Sequence, residues 1–337
     1  MPGEAEPFFI VGNDRSGTTM LRLIVDRGRD AAVPPESMFL TDFAAAFDAG
    51  EPRDAAAAER LMRAVWEHPK VRLWELPPDP PAVPDGLTGA DAYRFIAAAP
   101  FEAYAALHGK PRWGDKTPHY VHHVDHLLAL WPGARFVVLV RDGRDVALSL
   151  RRLPFGPNNA WAAAQWWARG IRAGARAQQD HPDAVLTVRY EDLAAAPQQE
   201  VRRLCAFLGL GYDDDMLALE HVDPARIVPD QAAWFPTLFD GINTSAVGRW
   251  RREMSRRDRR IFAALAGAEL EQFGYEVESD AVPALSAREE RWLHYHNELM
   301  RNVNFLRLRL VQERGRELRF ALARRLRDPV KRQYGSR

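Results

Sequence analysis

The segment from Gly12 to Thr19 has the glycine spacing of a phosphate-binding loop but lacks that loop's lysine. It reads Gly-Asn-Asp-Arg-Ser-Gly-Thr-Thr, follows an apolar run at residues 8–11 and leads into a helical pattern. A strand, a glycine-rich turn and a helix N-terminus together cradle phosphate with backbone N–H groups. Thr18 stands where triphosphate-binding loops carry a lysine that reaches the β- and γ-phosphates. The loop therefore favours a single phosphate that carries a less charged group, with Arg15 as its cation.

A second candidate anion site follows the apolar run at residues 136–140. The segment from Arg141 to Ser149 reads Arg-Asp-Gly-Arg-Asp-Val-Ala-Leu-Ser. The planar guanidinium of Arg141 can make two parallel hydrogen bonds to phosphate oxygens. Because parallel sheets bind ligands at the carboxyl ends of their strands, we expect this segment and the phosphate-binding loop to share one sheet edge. Arg144 and Asp145 are interpreted as a surface ion pair or a helix start.

In this order, the two motifs resemble those of the sulfotransferases that use 3′-phosphoadenosine 5′-phosphosulfate (PAPS). Residues 15–19 are similar to the family's 5′-phosphosulfate loop, and Arg141 with Ser149, eight residues later, is similar to its 3′-phosphate site. The resemblance covers about residues 7–275. It implies that PAPS is the donor, that 3′-phosphoadenosine 5′-phosphate (PAP) is the product and that no metal takes part.

The resemblance also implies catalytic roles for Glu36, Lys116 and Arg15. Pro-Glu-Ser at residues 35–37 is similar to the segment that supplies the general base in the tyrosylprotein and related bacterial branches, so Glu36 would take the acceptor's proton. Lys116 lies in a segment similar to the family's Lys-Asp/Thr-Pro turn and would offset charge on the bridging oxygen, while Arg15 would hold the phosphosulfate. Without the resemblance, Glu36 would be interpreted as a helix-initiating residue and Lys116 as a solvated loop residue.

Further residues are implied to bind the nucleotide. Tyr190 follows an apolar run and matches a tyrosine near the nucleotide, and residues 243–250 resemble a late loop that closes over the adenosine. The family usually has a basic residue just after the serine of the 3′-phosphate site, and Arg152 or Arg151 would take that place. The expected donor-binding residues are Arg15, Ser16, Gly17, Thr18, Thr19, Arg141, Ser149, Arg152, Tyr190, Asn243, Ser245 and Arg249.

Strand and helix patterns alternate along the chain and predict an α/β fold, with a P-loop-like, doubly wound parallel sheet flanked by helices. Strands are predicted at residues 8–11, 136–140 and 185–190. Helices are predicted at residues 55–66, 90–107, 119–131, 144–153, 160–180 and 198–208, the last with Gly209 as its C-cap. The segment that contains Lys116 is predicted as a turn before the helix at 119–131.

Two regions are predicted as additions to that plan. Residues 43–112 are rich in alanine and broken by proline, and we interpret them as an acceptor-side helical cap inserted in a sulfotransferase domain of residues 1–280. Residues 281–337 form a basic extension, with 14 Lys and Arg against 6 Asp and Glu from residue 286 onward. Apolar residues recur at helical spacing over about 287–327, which favours an amphipathic helix that packs on the core or on a second copy of the chain. Contact with a membrane surface is the less favoured alternative.

Composition narrows the range of partners. The chain has 337 residues and a formal net charge of zero, which gives no reason to expect nucleic acid as a partner. Its single cysteine, Cys205, cannot form an internal disulfide, and no signal sequence or membrane span is apparent, so we expect a cytoplasmic protein. Four histidines have a spacing that zinc can use, but no cysteine or acidic motif joins them, and we expect no metal. They are His119, His122, His123 and His126.

The expected activity is sulfuryl transfer from PAPS to a hydroxyl group of a small molecule, natural product, glycan or peptide tyrosine, by in-line displacement with Glu36 as base. Two alternatives are a P-loop kinase for a small molecule and a non-catalytic nucleotide-binding scaffold that forms a homodimer through the C-terminal helix. Thr18 and the Arg141 motif argue against the kinase, and Glu36 with Lys116 argues against the scaffold. Nothing in the sequence selects the acceptor.

Overall fold

A computed structural model describes residues 6–151, 153, 156–221, 241–277 and 285–307. The described chain forms a five-stranded parallel sheet with helices on both faces, which confirms the predicted α/β fold. Arg152, one of the expected donor-binding residues, lies outside the described residues, and so does the second half of the predicted C-terminal helix.

The sheet places its first strand at the centre. Its strands are β1 (Phe8–Gly12), β2 (Ala31–Ala32), β3 (Arg112–Lys116), β4 (Arg135–Val140) and β5 (Val185–Arg189). They lie in the order β2-β3-β1-β4-β5, and every pair is parallel. The carboxyl ends of β3, β1 and β4 are therefore adjacent, so the segments that follow these three strands meet at one edge.

Helices and short 3₁₀ turns connect the strands. The α-helices are α1 (Thr18–Arg27), α2 (Phe39–Asp42), α3 (Ala44–Asp48), α4 (Ala55–Trp66), α5 (Gly89–Leu107), α6 (Val124–Leu130), α7 (Gly143–Leu150), α8 (Ala160–Asp180), α9 (Tyr190–Ala195), α10 (Pro197–Leu208), α11 (Trp250–Glu253), α12 (Arg256–Gln272) and α13 over residues 287–307. The 3₁₀ helices are Val71–Trp74, Pro118–His122, Asp214–Leu217 and Leu219–His221. The predicted helices at 55–66 and 160–180 are confirmed, and Gly209 ends α10 in the left-handed conformation as predicted.

Side chains of β1 alternate between the two faces of the sheet. Phe8 and Ile10 pack with α1 and α10, whereas Phe9 and Val11 belong to a larger core that includes α5 and α8. All five residues of β1 are buried, as expected for a central parallel strand covered on both faces. Helices thus occupy both faces, and ligands have access mainly at the carboxyl edge.

The sequence analysis does not predict β2 or β3. The strand predicted at residues 185–190 as the third is therefore the fifth strand in the structure. β3 reads Arg-Trp-Gly-Asp-Lys, and glycine, aspartate and lysine are poor strand formers. β3 nevertheless lies between β1 and β2, with its last four residues buried. Burial within the sheet outweighs the local preference here. Lys116 therefore lies at the end of a strand, and the predicted turn is wrong.

The predicted continuous helix over residues 119–131 is also wrong. The chain forms a 3₁₀ helix and then α6, separated at His123, which has a φ of −129°. Tyr120 in the 3₁₀ helix is fully buried, and its hydroxyl bonds to Ser37 and to the backbone N–H of Leu40. Contacts of this kind are tertiary, and the spacing of apolar residues does not encode them.

The region predicted as a cap includes part of the sheet's own covering layer. α5 lies in the connection between the parallel strands β2 and β3, and Phe101 on α5 stacks on Trp113 of β3 with 4.5 Å between ring centroids. A parallel pair requires such a crossover. A role of residues 43–112 toward the acceptor stays a prediction.

The C-terminal helix α13 contacts the N-terminal end of α8. Asn158 donates its backbone N–H to Asn297 Oδ1 at 2.9 Å, and Asn159 donates its side-chain amide to the Leu293 carbonyl at 2.7 Å. Apolar side chains on another part of α13 are exposed, namely Trp292, Tyr295, Leu299, Phe305 and Leu306. Among the helices that the structure describes, none is long and apolar enough to cross a membrane.

Candidate active site

The phosphate loop, residues 12–19, joins β1 to α1 and includes the first two residues of that helix, and three of its φ angles are positive. Gly12 has a φ of 143°, Arg15 of 69° and Gly17 of 98°. These angles turn the chain back on itself before α1 begins at Thr18. The N-terminal N–H groups of α1 and the helix dipole favour an anion at this end. Ser16 and Thr18 are buried in the loop, and Thr19 is partly exposed.

Gly17 is required by the close approach of Tyr190. A Cβ atom at Gly17 would lie 2.6 Å from Cδ2 of the Tyr190 ring, and a φ of 98° is unfavourable for any residue with a side chain. We expect Gly17→Ala to lower the free energy of unfolding by about 2–4 kcal/mol, the sum of backbone strain and overpacking. Urea unfolding monitored by circular dichroism measures the change.

Gly109 provides the matched control for this substitution. It also has a positive φ, 64°, but a Cβ atom there would have no neighbour within 4 Å. Gly109→Ala should therefore cost only the backbone strain, about 1 kcal/mol. Equal losses in the two variants would show that the Tyr190 ring yields without cost and would contradict the predicted overpacking.

Glu36 and Lys116 form an ion pair at the mouth of the phosphate loop. Lys116 Nζ lies 2.7 Å from Glu36 Oε1 and 3.4 Å from Thr19 Oγ1, so one ammonium group contacts both the carboxylate and the loop. The lysine side chain is only 4% exposed, whereas 28% of the Glu36 side chain is exposed. Glu36 precedes α2 in an irregular segment and does not begin a helix. The Glu36 side chain is therefore partly accessible, whereas the Lys116 side chain is enclosed.

Burial and the neighbouring charges determine the protonation state of the Glu36 carboxyl group. Burial raises the pKa of Glu36, but the Lys116 charge and hydrogen bond outweigh burial, so the pKa lies below its usual value. Glu36 is therefore ionised at neutral pH and can accept a proton. Asp115, the preceding residue in β3, is completely enclosed, and burial raises its pKa to about 7. The two carboxyl groups thus differ, because one has a cationic partner and the other is desolvated.

A second group of cations lies at the end of β4. Arg141 donates to the carbonyl of Arg15 at 3.2 Å and lies over the Tyr190 ring at 4.3 Å, while Arg15 Nε donates to Ser149 Oγ at 3.0 Å. The structure thus brings together four residues that the sequence analysis assigns to the donor. Burial and the neighbouring Arg141 lower the pKa of Arg15 to about 10, so the Arg15 guanidinium remains charged at neutral pH. Two adjacent cations favour an anion that would bind both.

Residues 243–250 lie over Arg141. The carbonyl of Ala246 accepts a hydrogen bond from Arg141 at 2.6 Å. Asn243 accepts from the backbone N–H of Ser245 at 3.0 Å, and these two residues stabilise a turn in the segment. Arg249 makes a two-fold hydrogen bond to Glu253, at 2.8 and 2.7 Å. The structure therefore brings the segment to Arg141 through its backbone, while Arg249 pairs within its own turn.

Arg144 and Asp145 lie in the first turn of α7, which confirms the interpretation as a helix start, but they do not form a surface ion pair, because both side chains are buried. Arg144 forms a two-fold hydrogen bond to Asp142, the N-cap of α7, and lies 3.5 Å from the centre of the Trp250 ring. Asp145 accepts hydrogen bonds from the backbone N–H groups of Gly248 and Trp250, at 2.7 and 2.8 Å. The two residues thus anchor the late segment to α7, which sequence spacing over 100 residues does not reveal.

Two further residues that support Arg141 are missed by sequence reasoning. The indole N–H of Trp167, buried in α8, donates to the Arg141 carbonyl at 3.0 Å. Glu191, directly after Tyr190, accepts from the Asp142 backbone N–H at 3.0 Å and from the Tyr275 hydroxyl at 2.8 Å. The available signal is that Glu191 lies two residues after the end of β5, at the same sheet edge as Arg141.

The structure brings three histidines of residues 119–126 close together. Nε2 of His119 lies 3.3 Å from Nε2 of His123, and the rings of His119 and His122 are 5.6 Å apart. Within the described ranges, no group of three or more histidine, cysteine, aspartate or glutamate side chains is placed to bind a metal ion.

The arrangement provides a base and a cation on one side of an anion cradle and two guanidinium groups on the other. Such a site can hold a ligand with two separate anionic groups next to a carboxylate that can accept a proton. No lysine occurs at position 18 to neutralise a triphosphate.

Sequence comparisons assign most of the chain to one family. A profile of the sulfotransferase family matches residues 7–214, and a profile described as a sulfotransferase domain matches residues 159–274. The nodulation protein NoeE of Sinorhizobium fredii is 26% identical over 292 residues, which are 80% of this chain and 65% of NoeE. Protein-tyrosine sulfotransferase 1 of Danio rerio is 26% identical over 221 residues, 64% of this chain and 56% of that protein. The chain thus spans less than two thirds of either relative.

Solved structures show the same fold. The sulfotransferase domain from the curacin biosynthetic pathway has a TM-score of 0.51 at 21% identity, and the match covers 81% of this chain and 99% of that domain. The sulfotransferase domain of the Synechococcus PCC 7002 olefin synthase has a TM-score of 0.53 at 22% identity, with 82% and 98% covered.

Proposed function

Because this chain belongs to the sulfotransferase family, we propose that it transfers the sulfuryl group of PAPS to a hydroxyl group of an acceptor. The observation that carries the proposal is the contact of Lys116 Nζ with both Glu36 and Thr19. This contact joins a carboxylate and the phosphate loop through one ammonium group, and in the proposal the three act as base, donor cradle and cation. Sulfuryl transfer to a hydroxyl requires these three groups.

Two of the buried polar atoms without a hydrogen-bond partner in the described part of the chain lie at the proposed donor site, and they support a donor with two phosphate positions. Ser16 Oγ, in the phosphate loop, and Arg141 Nε are buried and have no hydrogen-bond partner there. Buried polar groups are normally paired, so each atom suits a ligand oxygen. In this proposal Ser16, Gly17, Thr18 and Thr19 hold the 5′-phosphosulfate. Arg15 lies between the two phosphate positions.

The 3′-phosphate end of PAPS would meet the second group of cations. Arg141 and Ser149 bind that phosphate, and Tyr190 supports the nucleotide from beneath Arg141. The late segment with Asn243, Ser245 and Arg249 closes over the adenosine. Arg249 would have to exchange its Glu253 partner for the nucleotide, because both arms of its guanidinium are paired in the structure.

The proposed chemical step is an in-line displacement at sulfur. Glu36 accepts the proton of the acceptor hydroxyl, and the hydroxyl oxygen forms a bond to sulfur. The bond between sulfur and the 5′-phosphate oxygen breaks, and that oxygen keeps the electron pair. Lys116, already in contact with the loop, offsets the charge that collects there. Stabilising charge as it develops is typically the largest catalytic contribution.

The acceptor class that we propose is a phenol or alcohol. The relative from Danio rerio is named a protein-tyrosine sulfotransferase, and peptide tyrosine is therefore included with small molecules, natural products and glycans. A screen of these acceptors with radiolabelled PAPS would identify the class. A cytoplasmic location and a homodimer through α13 also stay proposals, the second supported by the exposed apolar residues of that helix.

Calorimetric titration of the purified protein with PAP tests the donor assignment. We expect tight binding of PAP and much weaker binding of 5′-AMP and ATP, because only PAP carries a 3′-phosphate and position 18 lacks a lysine. Preference for ATP would support a kinase instead. Failure of PAP to bind would also contradict the proposal.

A further inference from the structure

Behind the ion pair of the candidate active site lies a cluster of four polar side chains that the proposed chemistry does not use. Ser37, Asp115, Thr117 and Tyr120 are each 0% exposed. Polar groups are costly to bury unless they are paired, so a fully enclosed cluster of this size requires a reason.

Hydrogen bonds join the four side chains into one directed chain. The backbone N–H of Leu40 donates to the Tyr120 hydroxyl at 3.1 Å, which leaves the Tyr120 proton for Ser37 Oγ at 2.9 Å. Ser37 Oγ lies 3.2 Å from Thr117 Oγ1, and Thr117 donates to Asp115 Oδ1 at 3.3 Å. When Asp115 is ionised and accepts from Thr117, this order lets each hydroxyl donate once, and the chain ends at the carboxylate oxygen.

The chain links the direct neighbours of the base and the cation. Ser37 follows Glu36 and Thr117 follows Lys116, and the Ser37 backbone N–H donates to Thr117 Oγ1 at 3.1 Å. This contact lies beside the 2.7 Å contact between the Glu36 carboxylate and the Lys116 ammonium. Two segments that lie 80 residues apart in the sequence are therefore joined by two neighbouring contacts. The contact between Ser37 and Thr117 is buried, and the contact between Glu36 and Lys116 is partly accessible.

The backbone is strained between Ser37 and Leu40, the two residues that bond to the Tyr120 hydroxyl. Met38 has a φ of 60°, in the left-handed region that side chains with a Cβ disfavour. Residues in this conformation persist where their surroundings hold them, and they are common at functional sites. Ser37 on one side of Met38 and Leu40 on the other both bond to Tyr120. The Tyr120 hydroxyl thus holds the turn that carries Glu36 to the sheet edge.

We propose that the chain from Tyr120 through Ser37 and Thr117 to Asp115 is a positioning device that holds the Glu36 carboxylate against Lys116. The four residues do not touch the reacting atoms and act through Glu36. The inference rests on the proposed function for its catalytic consequence, but the geometry that it predicts can be measured without an acceptor.

The experiment compares Thr117→Val, which removes the hydroxyl at nearly constant shape, with Thr117→Ser, which keeps it. Carbon-13 NMR of protein labelled at the glutamate carboxyl carbon follows the titration of Glu36, and Glu36→Gln identifies its signal. We expect the Glu36 pKa to lie below its usual value in the wild type and in Thr117→Ser, and to return toward that value in Thr117→Val. PAP affinity should stay unchanged, while sulfation turnover in Thr117→Val falls about 10- to 100-fold, the scale of a misplaced catalytic group.

An identical Glu36 titration in the wild type and Thr117→Val would overturn the proposal, even if the variant were less stable. Tyr120→Phe provides a second test if Thr117→Val does not fold. It removes the first hydroxyl of the chain and should raise the Glu36 pKa in the same way, and an unchanged titration would again overturn the inference. Failure of PAP to bind the wild type would count against the proposed function alone, because the NMR titration still decides whether the chain positions Glu36.

Discussion

Replacement of Glu36 by glutamine is expected to lower the turnover of sulfate transfer from PAPS by about 100-fold or more, the scale of a lost general base. The substitution keeps the shape and the hydrogen-bonding oxygen of the side chain but removes the charge that Lys116 stabilises at 2.7 Å. PAP binding should change little, because the proposed mechanism directs Glu36 toward the acceptor hydroxyl and not toward the nucleotide. Turnover with radiolabelled PAPS and calorimetry with PAP measure the two effects on the same preparation.

Glu67→Gln is the matched control, since Glu67 is an exposed glutamate at the end of α4. It should retain wild-type turnover. Activity of Glu36→Gln within a few-fold of this control would remove Glu36 from the mechanism. A parallel loss of PAP affinity would instead indicate that the residue supports the donor site.

Replacement of Arg141 by alanine is expected to weaken PAP binding about 10- to 100-fold, the range for charge-assisted hydrogen bonds, and to weaken 5′-AMP binding much less. The difference arises because only PAP carries the 3′-phosphate. Arg141 also holds the carbonyls of Arg15 and Ala246, so the variant loosens two loops. Comparison of the two nucleotides by calorimetry separates this loosening, which affects both, from the loss of the phosphate contact.

Arg141→Lys and Arg176→Ala complete the series. The lysine variant keeps the charge without the planar fork and should recover part of the preference for PAP. Arg176 is an exposed arginine on α8, paired with Asp180, and its replacement should leave both affinities unchanged. Equal losses for PAP and 5′-AMP in Arg141→Ala would place the 3′-phosphate elsewhere.

Local patterns in the sequence predict much of the backbone. The glycine spacing of residues 12–17 predicts a turn between a strand and a helix, and apolar spacing predicts α4 and α8 with their observed bounds. These features depend on residues close in sequence, whose spacing determines which face of an element is buried. β3 is missed because its glycine, aspartate and lysine disfavour a strand locally, and only its neighbours in the sheet bury it.

The sequence likewise predicts only part of the candidate site. The motifs predict which segments carry Glu36, Lys116, Arg15 and Arg141, but they do not reveal how these side chains pair. Arg144 and Asp145 illustrate the limit, because their spacing fits a surface ion pair whereas their partners are Asp142 and the backbone at residues 248–250.

The sequence by itself determined that a phosphate loop without its lysine and a later arginine and serine motif each follow a strand, because these are local patterns. Only the tertiary structure decided that Lys116 reaches Glu36 and that a buried chain of hydroxyls joins the residues after them. The physical reason is the strand order. β3 lies beside β1, so segments 80 residues apart meet where desolvated charges and hydroxyl groups must find partners.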